Sequence, residues 1–134
     1  MLGIYYLSNN NINDFSDLLS IPNLIDINLA FNNITTIPDI SGSWSSLSSL
    51  DLSSNILLNY LHCNNSLITS LDLSNNTALF DLLCGNNQLT SLYISNNTAI
   101  WLLQCFNNQL TSLDVSNNTA LSYLTCYWND LTSL

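Results

Sequence analysis

The sequence predicts a β-rich solenoid, a right-handed coil of short parallel strands with 21–23 residues per turn and little or no helix. Three observations predict it. First, Cys63, Cys84, Cys105 and Cys126 recur every 21 residues, and Leu61, Leu82, Leu103 and Leu124 keep the same step. A fixed period of about 20–50 residues marks repeats that bury their apolar edges only against neighbouring repeats. Second, Glu, Lys and Arg are absent and Ala and Met are scarce, so the residues that favour helices are missing. Third, short apolar alternations of period two run into Asn, Ser and Thr, which suit strands ended by tight turns.

The elements follow in chain order. The chain reads as a single solenoid over 1–134, with longer repeats of 22–23 residues in 1–46 and short 21-residue repeats in 47–134, the last incomplete. Leu2-Tyr5-Leu7-Asn10-Ile12, Leu24-Ile27-Leu29-Asn32-Ile34 and Leu47-Leu50-Leu52-Asn55-Leu57 each place apolar residues at one strand and an Asn at the turn after it. Pro22, Pro38 and Gly42 fall between them, where the chain has to turn back. From Leu58 each unit has two halves. In the unit from Leu79 the first half centres on Leu82 and Cys84 and the second on Leu92 and Ile94, so each half proposes a strand with its Leu or Cys side inward. Either half of the short unit is a candidate to continue the strand expected at 24–29.

These residues resemble leucine-rich repeats, through LxxLxLxxNxL in the first third and LxxLxCxxNxL with LxxLxIxxN thereafter. The match is closest to the short 21-residue class, sometimes called IRREKO, in which two nested segments share one coil. That class is common among bacterial surface and secreted proteins. The resemblance therefore implies an extracellular or cell-surface, non-enzymatic scaffold. No leader is visible, since Met1-Leu2-Gly3 carries no charge and repeat text begins at once.

Composition narrows the partners. Charged residues are 7% of the chain, against about a quarter in an average domain, all nine are Asp, and the net charge is −9. Without Lys or Arg there is nothing to displace phosphate counterions, so nucleic acid is excluded, as are anionic membrane surfaces. No apolar run approaches the roughly 20 residues of a membrane span, so no membrane insertion is expected. Protein or glycan, or copies of the chain itself, remain as partners.

Several repeated residues read as structural ladders. Cys63, Cys84, Cys105 and Cys126 occupy apolar slots and are expected as stacked interior thiols rather than disulfides. Zinc is not expected, because ligand pairs normally stand two to four residues apart. Asn76, Asn97 and Asn118 form one column, and Asn87, Asn108 and Asn129 another. Where the chain bends inward a buried Asn fills hydrogen bonds that the strand ladder has lost.

No catalytic residue, metal site or cofactor is expected. His62 is the one histidine, in a column expected to be exposed, and Cys63 beside it faces the other way, so the two cannot form a nucleophile–base pair. Asp51 and Asp72 lie close to one another by repeat, but the column breaks at Tyr93 and too few oxygens converge for calcium.

The two outer faces carry different information. The second-half columns are nearly constant: Thr69, Thr90, Thr111 and Thr132, then Ser70, Ser91, Ser112 and Ser133. The first-half columns vary and hold the aromatics. Tyr60, Phe80, Trp101, Leu102, Phe106, Tyr123, Tyr127 and Trp128 are the candidate contact face, since interfaces are enriched in Trp and Tyr. The competing reading has these rings filling grooves between coils or packing under a neighbouring domain. The functional expectation is protein or glycan binding through this face. The alternative is an extracellular filament built by stacking uncapped solenoid ends.

Overall fold

The computed structural model describes residues 3–8, 12, 24–28, 34, 36–37 and 45–134. Its strands are β1 (Gly3–Tyr6), β2 (Leu24–Asn28), β3 (Thr36–Ile37), β4 (Ser49–Asp51), β5 (Tyr60–His62), β6 (Asp81–Leu83), β7 (Leu102–Gln104) and β8 (Tyr123–Thr125). All pair in parallel, in two sheets of order β1-β2-β4 and β3-β5-β6-β7-β8. No helix occurs among the described residues, and none there is long and apolar enough to cross a membrane.

The register follows the repeat. Leu61, Leu82, Leu103 and Leu124 are Cα partners across β5–β8. Each is the middle residue of a three-residue strand, so its side chain enters the core while its neighbours face out. Leu61, Leu82 and Leu103 are fully buried. The second half of each coil supplies the opposite wall through Leu71, Leu73, Leu92, Ile94 and Leu113, all buried. The core is thus a stack of apolar layers, each about 4.8 Å from the next.

The strand at 24–28 is continued by the second-half text, because β2 pairs with β4. The first half pairs instead with Thr36-Ile37, through β3 and β5. The turns at Pro22, Pro38 and Gly42 lie outside the described residues.

One expectation is only half met. The first halves are strands, but beyond β4 the second halves show only an isolated bridge, Ser112 to Ser133. Local side-chain bonding accompanies this in two of the coils. The backbone N–H groups of Ser74 and Ser116 donate to Asp72 and Asp114 Oδ1 at 3.0 and 2.9 Å. Such a bond pulls the chain into a turn within two residues and competes with the ladder. Ser53 N–H makes the same bond to Asp51, where pairing with the five-residue β2 still keeps β4 extended.

Candidate functional site

The outer face of β5–β8 is framed by aromatic residues. Tyr60 and Tyr123 are strand residues that face out, whereas Phe80 and Trp101 immediately precede β6 and β7. Together they form one row across the coils. Tyr60 meets Phe80 edge-on with centroids 6.3 Å apart, Phe80 stacks on Trp101 at 5.7 Å and 6°, and Trp101 meets Tyr123 edge-on at 4.7 Å. Trp101 is 37% exposed and Tyr123 57%. Each ring touches the next because adjacent coils stand about one strand spacing apart.

A second group lies just beyond the C-terminal ends of β7 and β8. Phe106 stacks on Tyr127 at 5.1 Å, and Tyr127 meets Trp128 edge-on at 4.9 Å. Phe106 lies over Gly85, where an added Cβ would come within 2.5 Å of the ring. That glycine makes room for the ring, and its N–H donates to Asn64 Oδ1 at 2.6 Å. Nothing in the repeat pattern marks Gly85, although it stands alone in a column of Asn64, Phe106 and Tyr127.

Trp128 sits in a backbone position that the other coils fill with asparagine. Asn65, Asn86, Asn107 and Trp128 have φ of 58°, 53°, 51° and 55°. Asn tolerates this left-handed region, and a bulky ring does not. The asparagines also bond to one another, with Asn86 Nδ2 donating to Asn65 Oδ1 and Asn107 Nδ2 to Asn86 Oδ1, both at 2.7 Å. Trp128 cannot extend that ladder.

Six of the eight expected contact residues are exposed, while Leu102 and Phe106 are half-buried between their neighbours. His62 departs further from expectation. It is half-buried on the outer face, with Nε2 shielded and without a hydrogen-bond partner. Asp81 Oδ1, one strand away, is in the same condition. Exposed large apolar residues outside the expected set are Tyr6, Ile56, Leu57, Leu67, Tyr93 and Leu134.

The ladder residues lie inside. Cys63, Cys84 and Cys105 are buried and Cys126 is half-buried, all as free thiols. Burial pushes the Cys63 thiol from its ordinary 9.0 up to about 12. Cys105 reaches about 12 through burial and the neighbouring Cys126. Burial, then the flanking Cys63 and Cys105, raises Cys84 as well. These are inert thiols, because only the thiolate reacts.

The asparagine columns tie coil to coil. Asn97 Nδ2 donates to the carbonyls of Leu73 and Asn76 at 3.0 and 2.9 Å. Asn76 and Asn118 repeat the pattern one coil to either side. In the other column Asn108 Nδ2 donates to Cys84 and Cys105 carbonyls, and its Oδ1 accepts the Leu89 N–H at 2.9 Å. Asn87 and Asn129 do likewise for Ile68 and Leu110. Asn76, Asn97 and Asn118 each leave a shielded Oδ1 that accepts nothing, so that column is satisfied through its donors alone.

The opposite face differs in kind. A cleft of ≈ 410 Å³ lies there, lined in part by Thr90, Ser91, Tyr93, Thr111, Ser112 and Asp114. Besides Leu92, Tyr93 and Ile94, its lining is the hydroxyl and carboxylate set that the repeat places on almost every coil. Ser74 and Ser116 hold the Asp72 and Asp114 carboxyls below their ordinary 3.8, so both remain charged. Among the described residues, no three His, Cys, Asp or Glu side chains converge on a metal position.

No protein-family model matches the sequence, and no curated protein matches it. Solved structures do. The functional domain of InlJ from Listeria monocytogenes, which includes a cysteine ladder, is similar over 96% of this chain, with 27% identity and a TM-score of 0.65. An internalin, InlF, from the same species is similar over 94%, with 22% identity and a TM-score of 0.62. This chain spans 36% and 41% of the length of those two chains. The parallel strands, the coil-by-coil register and these likenesses together establish the leucine-rich repeat fold, built as a β-rich solenoid.

Proposed function

We propose that the chain is the recognition part of a secreted or cell-surface protein, and that it binds another protein through the outer face of β5–β8. One observation carries this reading: the exposed aromatic row Tyr60, Phe80, Trp101 and Tyr123 stands on the face whose residues change from coil to coil. The remaining expected contacts, Leu102, Phe106, Tyr127 and Trp128, extend the same surface. Exposed aromatics anchor interfaces because they bury a large area at little entropic cost. The reading treats 1–134 as one solenoid, with longer repeats in 1–46 and the short 21-residue class in 47–134, where the cysteines keep their 21-residue step.

Protein fits the row better than glycan. A sugar stacks on a free ring face. Here Phe80 and Trp101 cover one another's faces, and Tyr60 and Tyr123 close on the outer ends. Edges and partial faces suit irregular apolar side chains instead.

The test is selection of peptides from a displayed random library on the wild-type chain, followed by affinity measurement on variants. Trp101→Ala is expected to weaken the selected peptides by about tenfold or more, the loss of roughly 1.4 kcal/mol or more at a hot spot. Tyr93→Ala, on the opposite face, is expected to leave them unchanged. Peptides that bind Trp101→Ala as tightly as the wild type would remove the proposal, and light scattering on the same samples reports any self-association.

A further inference from the structure

We infer that the partner presents a cationic side chain, arginine above all, to Asp81 in the middle of the aromatic row. The inference rests on the reading of the β5–β8 face as the contact surface, and adds what that surface selects for. Asp81 is the one charged residue among the outward positions of β5–β8, whose other members are Tyr60, Leu102, Tyr123, His62, Leu83, Gln104 and Thr125. It is the Cα partner of Tyr60 on one side and Leu102 on the other, and follows Phe80 in the chain.

Its surroundings leave a carboxylate incompletely served. Asp81 is half-buried, and its Oδ1 is shielded from solvent yet accepts no hydrogen bond. A carboxylate oxygen in that state carries a desolvation cost, and a partner's donor recovers it once the Asp81 carboxyl turns outward on contact. The neighbouring His62 does not supply the donor, since its Nε2 is equally without a partner. Nor can any other side-chain cation, because the chain contains no Lys and no Arg. The cation has to come from the partner.

Charge and shape agree on its chemistry. A chain of nine Asp with net charge −9 attracts cationic surfaces, and two copies of it repel. An arginine stem lies along apolar ring edges while the guanidinium reaches a carboxylate with two N–H groups, as a lysine ammonium cannot. The aromatic row therefore supplies the walls of the contact and Asp81 its polar end.

The experiment uses the selected peptides as probes against four proteins: wild type, Asp81→Asn, Asp72→Asn and Trp101→Ala, each checked for folding by circular dichroism. Asp72→Asn removes the same charge from the opposite, exposed face. The expected result is enrichment of arginine in the selected peptides and a loss of about tenfold in Asp81→Asn, with less than about twofold in Asp72→Asn. Replacing the peptide arginine by glutamine should weaken binding to the wild type and not further weaken Asp81→Asn. Selected peptides without arginine or lysine would overturn the inference. So would equal losses in the two Asp variants, which would show only the overall field. Binding lost in Trp101→Ala and kept in Asp81→Asn would leave the contact face standing and remove its cation preference. A library yielding no binders would count against both.

Discussion

Single residues set the balance between stability and recognition. Trp128 holds a φ of 55° at a position where three preceding coils use Asn. A residue with a Cβ and a bulky ring pays about 1–2 kcal/mol in the left-handed region, where its Cβ crowds the following carbonyl, and such strain clusters at functional sites. Trp128→Asn is expected to raise stability by about 1 kcal/mol, through relief of strain and one more bond in the Asn65–Asn86–Asn107 ladder. The same variant is expected to weaken selected peptides that reach the Tyr127 side. A denaturant midpoint that falls in Trp128→Asn would contradict this reading.

The thiols give a pH signature at the same scale. Cys63 and Cys105 have folded values of about 12 against an ordinary 9.0, so the folded chain holds its protons longer than the unfolded chain. Stability from this source is complete below pH 9.0 and is lost as pH rises towards 12. Chemical denaturation at intervals across that window should show a midpoint that falls with pH. A Cys63→Ala, Cys84→Ala, Cys105→Ala triple variant should show a flatter profile. At neutral pH, half-buried Cys126 should react with a thiol reagent before the three buried thiols do.

Elements are joined mainly by asparagine and by leucine registers. Asn97 is fully buried and donates to two carbonyls of the preceding coil. Asn97→Ala leaves both without that donor, and a loss of about 2–4 kcal/mol is expected from thermal unfolding. Its neighbour Asn96 is exposed and donates once, at 3.3 Å. Asn96→Ala should fall within about 0.5 kcal/mol of the wild type. Equal effects from the two substitutions would mean that the column contributes little to holding the coils together.

Much of this scale was legible in the sequence. The leucine, cysteine and asparagine columns have period 21, so strand centres such as Leu82 and turn residues such as Asn97 could be placed by counting. Competition was harder to read. Asp72 and Asp114 bond their own Ser74 and Ser116 and favour a turn there, but the coil of Tyr93 has no such Asp and forms no strand either. Sequence also showed Asn giving way to Trp128, but not that the backbone there is left-handed. The packing of Phe106 on Gly85 depends on ring placement, which no period encodes. The shielding of Asp81 and His62 is likewise set by neighbours in adjacent coils.

At the scale of the whole molecule, the solenoid separates its tasks by face. The interior is repeated leucine, isoleucine and thiol. One outer side repeats Thr, Ser and Asp with little change. The β5–β8 side varies, gathers the aromatics in a row, and holds the one charged group of those strands at Asp81. A scaffold in which each coil contacts only its neighbours lets one side vary without disturbing the rest. Amide hydrogen exchange of the chain with and without a selected peptide ligand tests recognition by the aromatic side. Protection confined to 59–65, 80–86, 101–107 and 122–128 is the predicted result. Protection of 69–72 and 90–93 on the Thr/Ser side, with those segments unchanged, would contradict it.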